Sequence, residues 1–405
     1  MNFDTNNQDL EKSLQGLKAL VLAEGAFLHP QLTVRERAGS FDMHSDLGVS
    51  VHDRLIRMPI ACLAPLAAFD LYVCGNDICI RSTAAGTSSV HMRCMEAMLA
   101  LYNSSGKLAE TRQQSPWFGL GPYPKLLQLL LRLQDGSPQF AQNCRLLQNN
   151  QLDELLLSSF MGSRLFKLPR QGGYVLAPFI EYINHHFLAT GFRFLDEAGA
   201  SALCVDNAQP VSGSDEVFVS YHQMMDTADS WLNYNFIDEA APIAKSVSLV
   251  IDIGSGKQIR VRSVSGFRKL APPPQLQDLR ALLPALIEQS EHHLTVSRII
   301  IPHDKAPLSL RRILRTLIQT LRPALEKGAL QEQVENAEAQ VMDANTRFYR
   351  DLGDAVARVS KEGQEDATLS QVQKIVKLQA AKIAAYQLRI EKMTSLHEQG
   401  GLNKQ

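Results

Sequence analysis

The sequence has little of what would tie it to nucleic acid, to a membrane or to an oxidising compartment. Its 41 lysines and arginines are offset by 42 aspartates and glutamates, a formal net charge of −1. The cationic excess that neutralises phosphates in nucleic-acid binders is therefore missing. No apolar run approaches the ~20 residues of a membrane-spanning helix; the nearest, Leu126 to Leu133, is too short. The N-terminus, MNFDTNNQDLEKS, is polar and acidic, where a signal peptide carries basic residues and then an apolar core. The six cysteines, Cys62, Cys74, Cys79, Cys94, Cys144 and Cys204, lack both the paired spacing of a zinc site and the density of a disulfide scaffold. They read as reduced, mostly buried thiols, and no internal repeat is visible. The expectation is a cytoplasmic protein with neither a nucleic-acid nor a membrane partner.

What is present is enough apolar sequence for substantial cores. The 405 residues are 45% hydrophobic and 20% charged, the composition of an ordinary globular protein, and a length of about two to three domains at ~150 residues each. Residues 1–75 mix short β-like runs such as LIRMPI with polar turns, which suggests a small sheet of short strands. Residues 76–160 change to helical periodicity in VHMRCMEAMLALYNSS, PYPKLLQLLLRLQ and QLDELLLSSFMGS, with apolar residues at i, i+3, i+4 and i+7. Strand-like segments return over 161–240 in GYVLAPFIEYIN, FRFLD, ALCVD and EVFVSY. Residues 241–405 open with a hairpin, SVSLVIDIG and QIRVRSV joined at Ser255-Gly256-Lys257, and break at APPPQ. From about 276 onward nearly everything reads as amphipathic helix, interrupted at Gly328 and around Glu362 to Asp366. The last helices form an antiparallel hairpin packed on their own domain, or else a partner-binding coil. Arg311, Arg312, Arg315 and Arg322 read as a solvated helix face. The fold class expected is α+β, short sheets with a helical insertion followed by a mostly helical C-terminal domain.

Three segments carry the chemistry: FMGSRLF at 160–166, APFIEYINHH at 177–186 and GSDEVFVSYHQMMDTADSWLNYNF at 213–236. Together they resemble the second half of the SET domain, in the branch of protein methyltransferases that includes the Rubisco large-subunit methyltransferase. That family's P-x-x-D-x-x-N-H motif stands here as Pro178 to His185, with Glu181 in place of the aspartate. Its G-E-x-V-x-x-x-Y element stands as Ser214 to Tyr221, with Gly213 one place early. LNYNF matches the family's L-x-Y-G-F, with Tyr234 as the tyrosine thirteen residues beyond Tyr221. Ser163 and Arg164, 18 residues before Glu181, match a Ser-Arg pair that faces the cofactor.

The resemblance implies a split SET domain and a helical substrate-binding domain, with S-adenosyl-L-methionine as cofactor and a lysine of a protein substrate as methyl acceptor. Tyr221 falls in the catalytic position and Tyr234 in the wall of the same channel, with Phe236 beyond it. Asn184 and His185 would hold the cofactor, Ser163 and Arg164 would lie beside its carboxylate, and Glu181 would orient it or the adjoining loop. The chemistry has its own requirements. A sulfonium methyl must be held in line with a neutral amine, where orientation alone contributes ~7–11 kcal/mol. A lysine, with a reference pKa of about 10.4, must lose its proton in a desolvated channel, which aromatic walls provide. A metal site at His185 and His186 is not expected, because adjacent side chains of a strand point to opposite faces.

The resemblance weakens in two places. Aligning backward from Pro59 puts Phe41, Asp42 and Met43 where the family has a glycine turn, so that Asp42 would take the unusual conformation or Gly39 would serve instead. His222 and Asn235 stand where the family favours glycine after each tyrosine; asparagine tolerates left-handed backbone well. Two alternatives stay open: a SET-fold interaction module with weak or no transfer, and a methyltransferase directed at histidine.

Overall fold

The computed structural model describes the chain except for residues 46–48, 135–136, 169–172, 198–199, 208–214, 222–223, 263–267, 270–273, 281, 303–307, 362–365 and 403–405. The chain divides into two compact units, the first made of Met1–Ser115, Leu146–Gln223 and Asn233–Asn235, the second of Pro116–Arg145, Met224–Leu232 and Phe236–Gln405. The expected helical insertion is thus shared out, with Pro116–Arg145 belonging to the second unit. It also starts later than expected, because Phe69–Cys74 and Asp77–Thr83 form a hairpin before the first helix of that region at Ser89–Ser105.

The first unit is built from short sheets. Leu32–Arg37 pairs with Asn2–Asp4 on one side and Ser40–Ser45 on the other. The Ala38-Gly39 turn has φ of 52° and 84°, the left-handed pair that a tight hairpin needs. A Cβ on Gly39 would lie 2.5 Å from the Ser105 carbonyl oxygen, so this turn admits only glycine. A four-stranded sheet runs Arg193–Glu197, Ala200–Asp206, Arg54–Pro59, Phe27–Leu28. Ala202 to Val205 are all buried in its centre, which is why they read as a continuous apolar run.

One helix here was not expected. Gln8–Ala23 is capped by the Asn7 side chain, which accepts from the N–H groups of Asp9 and Leu10. It buries Leu10, Leu14, Leu17 and Val21. Those residues lie at i, i+4, i+7 and i+11, so the helical period was present inside a segment whose polar composition hid it.

The second unit has a five-stranded sheet in the order Leu249–Asp252, Gln258–Val261, His293–Val296, Ala285–Gln289, Arg268–Lys269. Its first two strands are the expected hairpin, turning through Gly254, Ser255 and Gly256, all with positive φ. The expectation of helix from 276 onward fails over Ala285–Gln289, His293–Val296 and Ile300–Pro302. Their short β-branched runs pair in sheets, and helix resumes only at Ser309–Leu321. That helix buries Leu310, Ile313, Leu314, Leu317, Ile318 and Leu321 on a stripe of the spacing that a core-facing helix needs.

Lys327–Lys361 and Ala367–Leu402 pack against each other, and Val334, Val341, Phe348, Val372, Ile383 and Tyr386 are buried along them. Gly328 lies in the first turn of the former and does not interrupt it, and 362–365, most of the other expected break, are outside the described residues. The four arginines are engaged: Arg311 donates to Glu338, Arg312 to Asp278, Arg315 to Gln331 and Arg322 to the Ile253 carbonyl. Among the described residues no helix is long and apolar enough to cross a membrane.

Candidate active site

Ser163, Arg164, Glu181, Asn184, His185, Tyr221 and Tyr234 all lie in the first unit. Phe179 opens the arrangement with φ of 63°, a costly conformation for a bulky side chain. It is held by complete burial and by contacts with Phe3 and Tyr182, whose ring stacks on Phe41 at 4.6 Å. Ile180–Tyr182 then forms one 3-10 turn in place of the strand expected there, and the chain straightens into Asn184–His185.

The segment from Asp215 to Tyr221 is tied on several sides. Its Val217 N–H donates to the Met43 carbonyl at 2.7 Å, and the Ser45 N–H donates to the Asp215 carbonyl at 2.9 Å. Phe218–Val219 pairs parallel with Asn184–His185, and the Ser220 N–H reaches the Thr190 carbonyl at 3.0 Å. Tyr221 therefore leaves a braced strand. Its N–H donates to His185 Nδ1 at 3.0 Å and its hydroxyl donates to the Ile183 carbonyl at 2.9 Å. Since Nδ1 accepts here, a neutral His185 carries its proton on Nε2. Rings surround the phenol: His185 at 5.2 Å, Tyr234 at 4.9 Å and Phe192 at 6.4 Å between centroids. Burial first, and then Tyr234, push the Tyr221 phenol above its ordinary value, so it stays neutral.

Tyr234 is the last residue of the helix Thr227–Tyr234, a correction to the strand-like reading of residues 161–240. Asn235 follows at φ 64°, the left-handed stop that the missing glycine would otherwise supply. Phe236 belongs to the second unit. His222, Gly213 and Ser214 lie outside the described residues.

The ionic end of the site starts where the helix Leu152–Gly162 stops. Ser163 Oγ donates to the Phe160 carbonyl at 2.9 Å, while Arg164 Nη1 donates to that carbonyl at 3.0 Å and to Ser163 Oγ at 2.8 Å. The Arg164 guanidinium lies 3.9 Å from the Phe160 ring centroid and 5.8 Å from that of Tyr102. Its Nε is 3.9 Å from Glu181 Oε2, whose side chain has no exposed surface. The Tyr102 hydroxyl donates to the same oxygen, and Oε1 has no partner among the described residues. Burial raises the Glu181 carboxyl to about 7, against the opposing pull of Arg164, Tyr102 and Lys107. Asn184 is exposed and donates from Nδ2 to Glu216 Oε1 at 2.7 Å. The Tyr221 hydroxyl bond to the Ile183 carbonyl ties the aromatic end to the stretch of chain that carries Glu181 and Asn184.

Sequence reasoning did not assign Tyr102, Glu216 or Phe192. Glu216 lay inside a quoted motif, but Tyr102 is one apolar-phase residue of the helix Ser89–Ser105 and carries no pattern of its own. Asp42 does not adopt the glycine-like conformation: it sits in the regular strand Ser40–Ser45, opposite Arg35. Gly39 does have positive φ, but its close approach is to Ser105. Among the described residues no group of three or more His, Cys, Asp or Glu is placed to hold a metal ion.

Comparison with models of known protein families finds no match, and no curated protein matches the sequence. Among solved structures, the chain is similar to the SET domain of LSMT bound to lysine and AdoHcy, at 16% identity, covering 94% of this chain and 91% of that one with a TM-score of 0.46. It is similar also to Rubisco LSMT bound to AdoMet, at 15% identity, with 94% and 92% covered and a TM-score of 0.44. A third similarity is to Rubisco LSMT bound to sinefungin and monomethyllysine, at 16% identity, with 95% and 92% covered and a TM-score of 0.43.

Proposed function

We propose that this chain is a protein methyltransferase of the SET type, using S-adenosyl-L-methionine to methylate a lysine side chain of a protein substrate. The observation that carries the reading is the packing of a neutral Tyr221 against Tyr234, with its hydroxyl bonded to the Ile183 carbonyl between Glu181, which faces Arg164, and Asn184. The cofactor would supply an electrophilic methyl on a sulfonium.

The residues present fit its amino-acid end. Arg164 offers a guanidinium suited to a carboxylate, braced by Phe160 and Ser163. Glu181 has a buried oxygen in want of a donor, which an ammonium provides. Asn184 gives Nδ2 to Glu216, which leaves its Oδ1 to act as the acceptor.

At the aromatic end, Tyr221 keeps a neutral oxygen whose lone pairs are available to C–H and N–H groups, because its own proton goes to Ile183. Together with Tyr234 and Phe192 it makes an apolar wall, and such a wall favours the neutral over the charged form of an amine. The geometry thus serves desolvation and alignment, the two demands of an in-line transfer.

The test is transfer of a labelled methyl from S-adenosyl-L-methionine to protein, comparing wild type with Tyr221→Phe. Loss of about 10²–10³-fold in rate with the fold intact is expected, the scale for removing one preorganised polar group. Undiminished transfer by the variant would sink the assignment of Tyr221. Transfer to histidine instead of lysine would replace the acceptor class.

A further inference from the structure

Asp42, the residue that breaks the resemblance, belongs to a compact charge cluster beside the site. His44 is 8% exposed. Its Nε2 lies 2.9 Å from Asp42 Oδ1 and its Nδ1 lies 3.1 Å from Asp215 Oδ1. Arg35 is the other charged group against it, with Nη1 3.4 Å from His44 Nε2 and Nη2 donating to Asp215 Oδ2 at 2.9 Å; its Nε is 3.8 Å from Asp4. Asp215 Oδ1 only accepts, so Nδ1 donates to it, while Nε2 lies between the acceptor Asp42 Oδ1 and the donor Arg35 Nη1. The ring thus bridges the Asp42 and Asp215 side chains, with Arg35 against it. The Asp215 carboxyl is accordingly held below its ordinary value, by His44 first and then by Arg35.

The consequence lies one residue further on. His44 bridges to Glu216 through the backbone, and the main-chain bonds Ser45 to Asp215 and Val217 to Met43 flank that bridge. Glu216 in turn holds the Asn184 amide. Tyr221, by contrast, has its own ties to His185 and Ile183.

We infer that His44, held between Asp42 and Asp215, is a positioning residue that pins the Asp215–Val217 segment and through Glu216 orients Asn184. On this view the aspartate at 42 is one arm of the clamp and not a defective glycine turn. The inference rests on the proposed methyltransferase reading for its ligand, but the clamp has a signature of its own.

Denaturant unfolding of the full chain, without any ligand, is expected to show non-additive effects of His44→Gln and Asp215→Asn when the two are combined. Additive effects in that cycle would overturn the clamp whether or not the protein binds S-adenosyl-L-methionine. The functional arm compares wild type with His44→Gln, which can donate from only one atom. The KM for S-adenosyl-L-methionine is expected to rise about tenfold, the scale of one lost charge-assisted hydrogen bond, with kcat held within about twofold. Asp42→Asn gives a milder version should His44→Gln fail to fold. Because both act through Asn184, His44→Gln and Glu216→Gln are expected to be non-additive when combined. Fully additive effects, or a fall in kcat at unchanged KM, would overturn the positioning role. Absence of any cofactor binding by wild type would instead remove the methyltransferase reading and leave the unfolding cycle of His44 and Asp215 to decide the clamp.

Discussion

Two carboxylates, one in each unit, are almost equally buried and yet are treated in opposite ways. Asp229, in the second unit, caps its own helix reciprocally with Asp226: the Asp229 N–H donates to Asp226 Oδ1 at 2.9 Å. It also receives Lys245, Arg298 Nη1 at 2.6 Å and Gln134 Nε2 at 2.8 Å. Burial alone would raise its carboxyl, but Arg298 and Lys245 overcome that and hold it well below the ordinary range. Glu181, in the first unit, has one phenol donor, an arginine at 3.9 Å and an oxygen with no partner among the described residues, and it rises to about 7. The contrast separates a carboxylate whose surroundings complete it from one whose surroundings leave room for a proton or a ligand. Buried polar atoms left unmatched are uncommon, and perturbed acids gather at functional sites.

The comparison breaks most visibly at Asp229. Asp229→Ala leaves Lys245 and Arg298 buried without their anion, and a loss of about 3–5 kcal/mol is expected, read by denaturant unfolding. A loss below about 1 kcal/mol would mean that the network is not the complete one described.

Glu181→Gln sharpens the other side. Because folding raises the Glu181 carboxyl from 4.5 to about 7, the folded protein binds this proton more tightly than the unfolded chain. The group's contribution is therefore whole below about pH 4.5 and is lost as pH rises through about 7, a change of about 3 kcal/mol at 1.36 kcal/mol per unit. Relative to Glu181→Gln, the wild type should lose stability over that window. A difference between the two proteins that does not vary with pH would contradict the account.

Tyr102→Phe removes the one hydrogen-bond donor to Glu181 among the described residues and should cost about 1–3 kcal/mol, with the carboxyl driven further upward in a pH titration. The smallest effect belongs to an ordinary surface pair. Arg312 and Asp278 are well exposed, 40% and 61% by side chain, and Arg312→Ala should change stability by no more than about 1 kcal/mol.

How much of this could be read beforehand depended on spacing more than on composition. The segments bearing Arg164, Glu181, Asn184, Tyr221 and Tyr234 stood out because several motifs keep their order and intervals, and they come together in one unit. The same method passed over the helix Gln8–Ala23, whose apolar residues are diluted by polar neighbours, and the strands from Ala285 to Pro302, which are too short to establish a period. Tyr102 and His44 were invisible for another reason. Each acquires its role from a partner far along the chain, Tyr102 from Glu181 and His44 from Asp215, and no local pattern encodes such a pairing. Asp42 misled in the same way, since its partner is the side chain of His44 and not a ligand-facing backbone.

The most direct test of the central claim is calorimetric titration of the purified full chain with S-adenosyl-L-methionine and with S-adenosylhomocysteine, repeated on Asn184→Ala. The account predicts binding of both by wild type and affinity weakened about tenfold or more in the variant, the cost of an amide contact to a charged ligand group. Well-folded wild type that binds neither would contradict the assignment of this site to the cofactor.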